Sequence, residues 1–180
     1  MNLEALRDSL PDYARDVRVT LSAVVHDTLL SDQQKWGALL AAARAAGERS
    51  LIEALDEEVR ERMSEAAIGA AKTAAALMAM TNVYFRATHL MRNQDYAAMR
   101  TGLRLNRLAD PGVDKGDFEF WCFVVSAVNG CGACLDAHEE ELRQRSWPAT
   151  HIREGLRIAA VIAAAASILR AERVGSPSSD

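Results

Sequence analysis

Apolar residues along this chain recur mostly at spacings of three and four, the period of an α-helix, and no convincing stretch alternates over the length of a strand. A chain patterned this way buries stripes on helices and has no face to offer a sheet. Composition points the same way: 49% of residues are apolar, only 6% are aromatic, and alanine is abundant. Alanine is the best helix former, whereas aromatic and β-branched residues favour strands. The expected fold is therefore all-α, a single-domain multi-helix bundle over residues 1–174. A polar Gly-Ser-Pro-Ser-Ser tail over 175–180 is expected to be disordered. The 180 residues suffice for one domain with a substantial core.

Punctuation divides the pattern. Pro11 opens a helix through Tyr13, Val17 and Leu21. Ser31 is the expected N-cap of a helix carrying Trp36, Leu39 and Leu40 that stops at Gly47. A charged helix follows from Leu51 to Val59. Ser64 opens a long alanine-rich helix toward Leu90, with a break expected near Asn82. Short helical pieces fill 93–112. A helix from about Lys115 to Val128 ends at Asn129-Gly130, and a new one starts at Cys131 and runs to about Arg145. Pro148 breaks the chain, and Thr150 is expected to cap a last helix through Leu169. A possible two-half duplication shows in Trp36 and Trp121, each leading a helix that ends at a glycine, Gly47 or Gly130. Measured from the tryptophans, Ala46 and Arg49 stand where the second half has Cys131 and Cys134.

A net charge of −4 excludes a general nucleic-acid binder, which needs a basic surface to displace counterions. The first eight residues carry acids where a signal peptide would be basic and then apolar. The longest apolar run, Ile158 to Leu169, is too short to cross a bilayer and is closed by Arg157 and Arg170. A soluble, cytoplasmic protein is expected. There, three cysteines make a poor disulfide framework, so a close pair points to catalysis or metal.

That pair is Cys131 and Cys134, with His138 seven residues after the first. At about 100° per residue all three share one helix face, and residues three apart bring their Cα atoms to roughly 5 Å, within disulfide range. The pair can close and open without unfolding the helix. Asn129-Gly130 sets Cys131 at a helix N-terminus, where free amides and the helix dipole favour a thiolate. His138, one turn beyond Cys134, can take or hold a proton. If the flanking helices form an antiparallel hairpin, an acid roughly ten residues before the turn faces His138; Glu119 fits, with Asp117 as its competitor.

Other readings compete. A zinc-bound or structural interaction module would need four ligands, and beyond the pair and His138 only His151 is near, across Pro148. Haem attachment needs histidine where Leu135 stands, and a thioredoxin-like site needs a βαβ pattern. Cys122, Trp36 and Trp121 read as core residues, His26, His89 and His151 as surface or hydrogen-bonded helix residues. Asp136 and Glu139 to Glu141 read as a solvated face or a surface that steers partners.

The segment Phe118-Glu119-Phe120-Trp121, followed by Val125-Ser-Ala-Val-Asn-Gly-Cys131-Gly-Ala-Cys134-Leu-Asp-Ala-His138-Glu139, closely resembles the active-site hairpin of the alkylhydroperoxidase D family. The likeness extends through Leu10 to Asp16, Gln33 to Gly37, Met80 to Arg86 and Gly102 to Asn106. It implies an all-helical homotrimer with antioxidant peroxidase activity toward organic hydroperoxides and no bound cofactor or metal. Its dithiol is recharged by dihydrolipoamide on a lipoylated acyltransferase, and it can reduce a partner peroxiredoxin. Carried onto this chain, the resemblance makes Cys134 the sulfenic acid, Cys131 the proton donor and resolving thiol, and Glu119 and His138 a proton relay. Some members have histidine directly before the second cysteine; here Ala133 stands there, so the proton path rests on Glu119 and His138. A carboxymuconolactone decarboxylase-type enzyme, from a related helical family, is the rival activity, and it leaves the redox pair unexplained.

Overall fold

A computed structural model describes residues 1–175, and the expected tail lies outside the described residues beyond Gly175. Among the described residues no strand occurs and ten α-helices follow one another. These are α1 (Leu3–Asp8), α2 (Arg15–His26), α3 (Asp32–Ala46), α4 (Arg49–Arg62), α5 (Glu65–Leu90), α6 (Asp95–Ala98), α7 (Asn106–Ala109), α8 (Lys115–Asn129), α9 (Gly132–Gln144) and α10 (Ala149–Gly175). None of the described helices is long and apolar enough to cross a membrane.

The helix ends follow local chemistry. Ser31 and Gln34 form a reciprocal capping box at the start of α3, and Gly47 closes it in the left-handed conformation. Ser64 caps α5 and Asp114 caps α8 through their side chains. Four expectations are corrected. Leu3–Asp8 forms a helix that the apolar pattern did not announce, capped by Asn2. The helix expected from Pro11 through Leu21 is split into a 3₁₀ turn, Asp12–Ala14, and α2. The break expected near Asn82 does not occur: α5 runs unbroken, because the Asn82 side chain is buried and bonds across to α8 rather than to its own backbone. Thr150 lies inside the first turn of α10, where the Pro148 carbonyl accepts from the His151 and Ile152 amides, and the helix continues past Leu169.

α3 is the central rod. Its residues Trp36 to Ala43 are all buried, and it packs on α4, α5, α8 and α10. α8 lies beside it and is buried from Gly116 through Ser126. The two approach closely because Gly37 carries no side chain: a Cβ there would sit 2.3 Å from the Trp121 ring. The Trp121 indole is fully buried and donates from Nε1 to the Gln34 carbonyl at 3.1 Å. Its one polar atom is thereby satisfied, as a buried tryptophan requires.

The two halves share a frame. α3 and α8 each have 15 residues and end on a left-handed glycine, α4 has 14 and α9 has 13, and α5 has 26 where α10 has 27. Counted outward from the two glycines, the register differs from the one measured from the tryptophans. Trp36 falls where Glu119 stands, Glu48 where Cys131 stands, and Leu51 and Leu55 where Cys134 and His138 stand. The tryptophans are not equivalent: Trp121 inserts against Gly37, whereas Trp36 lies under the Arg62 guanidinium.

α10 is covered on most sides within the chain, but α5 is not. Ala76, Ala79, Met80, Val83 and Leu90 leave an apolar stripe exposed along it, and Met91, Tyr96 and Met99 continue that surface into the following segment.

Gly37→Ala tests the crossing of α3 and α8. Alanine favours a helix, but here its methyl must displace a buried indole, and overpacking of that kind costs about 1–3 kcal/mol. The variant is expected to melt roughly 2–10 °C lower for a domain of this size. An unchanged or raised Tm, read by circular dichroism, would contradict the packing.

Candidate active site

α8 ends by handing its last carbonyls to the turn. Gly130, at φ 66°, donates to the Ala127 carbonyl, and the Cys131 amide donates to Ser126 at 3.0 Å. The Cys131 carbonyl in turn accepts from Leu135 at 2.9 Å, which begins α9. Cys131 therefore belongs to both helices, with its amide spent on α8 and its carbonyl on α9. Its side chain makes no capping hydrogen bond. The first amides of α9 stay free of a side-chain acceptor, a setting that lowers the energy of a thiolate.

Cys131 and Cys134 form a disulfide with their Cα atoms 5.3 Å apart. Both are buried, Cys131 fully and Cys134 with 6% of its surface open. The reversal at Gly130 lays α9 against α8 and brings Glu119 and His138 together, with His138 Nδ1 2.6 Å from Glu119 Oε2. Asp117, the other acid left open by the hairpin argument, turns away to accept from Gln33 and Gln34 at 2.6 and 2.9 Å and so ties α3 to α8.

Glu119 is held on its other side as well. Lys115 Nζ lies 2.8 Å from Glu119 Oε1, one turn earlier on α8, and also donates to the Leu108 carbonyl. Burial pushes the Glu119 carboxyl up, but the hydrogen bonds and charges of His138 and Lys115 together outweigh it and hold the group below the usual carboxylate range. Glu119 is thus an anion with two cationic or proton-bearing partners. The Lys115 contact escaped the sequence reading, although its i, i+4 spacing to Glu119 is a readable helix signal.

On the far side of the imidazole, His138 Nε2 lies 3.2 Å from Met78 Sδ on α5. The polar residues that interrupt the apolar pattern of α5 gather here. Asn82 donates to Ser126 Oγ and accepts from the Asn129 side chain at 2.9 Å, and Arg86 donates to the Asn129 carbonyl. These contacts brace the end of α8 where it meets Cys131.

The remaining candidates lie apart from the pair. His151 packs edge-on against Trp147, with Nδ1 3.4 Å from Thr150 Oγ1. Among the described residues no group of three or more His, Cys, Asp or Glu side chains is arranged to hold a metal ion. Cys122 is fully buried; burial first, and the Glu119 charge second, push its thiol well up.

The carboxymuconolactone decarboxylase family profile matches residues 94–176. Over almost the full chain, the sequence is similar to proteins named alkyl hydroperoxide reductase AhpD. That of Maricaulis maris is 48% identical over 172 residues, 96% of this chain and 99% of the relative. That of Hyphomonas neptunium is 49% identical over 172 residues, 96% of each chain. That of Frankia alni is 49% identical over 176 residues, 98% of this chain and 95% of the relative.

The geometry makes a thiol-specific prediction. After treatment with one equivalent of an organic hydroperoxide, peptide mapping is expected to find Cys131 linked to Cys134 and Cys122 as a free thiol. A dominant bond involving Cys122 would refute the assignment.

Proposed function

The chain belongs to the alkyl hydroperoxide reductase AhpD family, and on that premise we propose that it is an antioxidant peroxidase reducing organic hydroperoxides to alcohols through a Cys131–Cys134 dithiol–disulfide cycle. The observation that carries this reading is the buried disulfide at the seam of α8 and α9, one helical turn from a His138–Glu119 pair.

In the cycle, the Cys134 thiolate attacks the terminal peroxide oxygen. The O–O bond breaks, the alkoxide leaves as alcohol with a proton from Cys131, and Cys134 becomes a sulfenic acid. Cys134 suits the attack because it is the more exposed of the two sulfurs. Cys131 then condenses with the sulfenic acid, water leaves, and the disulfide forms. His138, oriented by Glu119, moves protons between these sulfurs, and with Ala133 in place of a second imidazole the path rests on that pair. Dihydrolipoamide, carried on a lipoylated acyltransferase, reopens the disulfide by thiol exchange, and the protein can pass electrons to a partner peroxiredoxin. No bound cofactor or metal enters the cycle. The cytoplasm suits a pair that must return to the dithiol form each turn. The exposed apolar stripe on α5 supports a homotrimer, since such a face is ordinarily covered by a neighbouring subunit. A decarboxylase reading draws on the profile match but gives the disulfide no task.

Single substitutions separate the roles. Cys134→Ser is expected to abolish hydroperoxide consumption even in one turnover, because serine is a far weaker nucleophile at neutral pH. Cys131→Ser is expected to lose repeated turnover yet accumulate a sulfenic acid at Cys134 that a dimedone probe traps. Glu119→Gln and His138→Phe are each expected to slow the reaction on the order of 10²-fold or more. Their combined effect is expected to fall well short of the product, since both serve one proton path. Sulfenic acid trapped at Cys131 in Cys134→Ser, with none in Cys131→Ser, would reverse the assignment. Light scattering at micromolar concentration is expected to give a trimer, and a monomer would contradict it.

A further inference from the structure

Met78 has no task in the cycle above, yet it stands directly against the relay. Its side chain is almost fully buried, and its sulfur faces His138 Nε2 at 3.2 Å, with Ser126 Oγ and Asn82 Nδ2 each 3.6 Å from the same atom. A thioether offers lone pairs and no hydrogen. The contact is a hydrogen bond only with the hydrogen on Nε2. The other ring nitrogen lies 2.6 Å from the Glu119 carboxylate. Each ring nitrogen thus faces an acceptor, the thioether at Nε2 and the carboxylate at Nδ1. This is the arrangement while the Cys131–Cys134 disulfide is closed.

We propose that Met78 is a positioning residue that keeps His138 loaded with a proton at Nε2 while the disulfide is closed, so that reopening by an external dithiol is met by a ready acid. The proposal rests on the redox reading of Cys131 and Cys134. An external thiolate attacks Cys134 Sγ, the more exposed sulfur. The S–S bond breaks, a mixed disulfide forms, and Cys131 leaves with the electron pair as a thiolate at the free amides of α9. The second external thiolate then attacks its own sulfur in the mixed disulfide. Cys134 leaves as a thiolate, one turn from His138, and takes the Nε2 proton. The external dithiol has given two electrons and two protons and become a cyclic disulfide. One of its protons restores His138 and the other serves Cys131.

Among the described residues, the packed elements bring the following groups toward the imidazole or its helix. α8 contributes Glu119 and, behind it, Lys115, together with the buried Cys122 thiol. α5 contributes Met78, Thr81 and Asn82, all uncharged. On α10, Glu154 is paired with Arg157 and His151 lies against Trp147. On α9 itself, Asp136 is exposed, Glu140 accepts from Gln144, Glu139 pairs with Arg143 and Glu141 with Arg145.

The first test is nitrogen NMR of the oxidised wild-type protein at neutral pH, where both ring nitrogens of His138 are expected to carry hydrogen. A bare Nε2 there would overturn the proposal without any variant. The second is the pH profile of disulfide reduction by dithiothreitol, followed by stopped flow. Met78→Leu keeps the volume and removes the acceptor. It is expected to lose the Nε2 hydrogen, to slow reduction about 10-fold or more at neutral pH, and to begin the falling limb of the profile at lower pH. Met78→Gln returns an acceptor oxygen and is expected to recover most of both changes. An unchanged profile in Met78→Leu, or an equal slowing at every pH that Met78→Gln does not relieve, would overturn the proposal. Neither measurement uses a hydroperoxide. Failure of the wild type to turn over hydroperoxides would sink the proposed function while leaving these results to decide the role of Met78.

Discussion

Gly130 allows α8 to stop and α9 to start with no spacer between them. A left-handed residue is needed there, and glycine adopts that conformation without the steric cost a side chain would add. Because the Cys131 amide closes the end of α8 and its carbonyl opens α9, the cysteine has no backbone freedom left with which to drift. The same reversal folds α9 back along α8, so Glu119 and His138, nineteen residues apart, meet at hydrogen-bond distance. A looser connection would leave the disulfide intact and separate it from the Glu119–His138 pair.

The pair is costly to bury, and its neighbours show how the cost is met. Taking a carboxylate out of water is unfavourable unless its oxygens find strong donors. Glu119 has one at each oxygen, Lys115 on its own helix and His138 across the turn. Lys115 also reaches the Leu108 carbonyl, so the otherwise exposed segment after α5 is anchored at the site. The end of α8 is braced from a third direction by Asn82 and Arg86 of α5. The site is thus held by three elements, and the sulfur pair sits where they converge.

What the sequence shows of this follows from the range of each interaction. The extent of α3 is legible because both its ends are written locally, in the Ser31–Gln34 box and in Gly47. The cysteine spacing and the shared face of Cys131, Cys134 and His138 are legible for the same reason. Choosing Glu119 over Asp117 is not a local matter. Asp117 is claimed by Gln33 and Gln34 from α3, a partner that spacing along α8 does not reveal. Asn82 misled in the opposite direction. A polar residue in an alanine-rich helix reads as a break when no partner is known, yet its partners, Ser126 and Asn129, lie more than forty residues on. Met78 carries no signal at all, since a methionine in an apolar helix reads as core and only the packing of α5 on α9 turns its sulfur toward an imidazole.

The repeated three-helix frame holds different residues at equivalent positions of its two halves. At the position after the left-handed glycine, the first half has Glu48, whose carboxylate accepts from the Leu51 amide, caps α4 and pairs with Arg173. A side-chain cap of this kind stabilises a helix by about 1 kcal/mol. The second half has Cys131 at that position, and α9 goes without a side-chain cap. Leu51 and Leu55, both fully buried, continue the first half as plain core where the second half has Cys134 and His138. Trp36 occupies the place of Glu119, so no carboxylate enters that hairpin. The same backbone thus supports either a capped, apolar hairpin or an uncapped, ionisable one. The second choice gives up, at the start of α9, the local stability that the Glu48 cap lends α4.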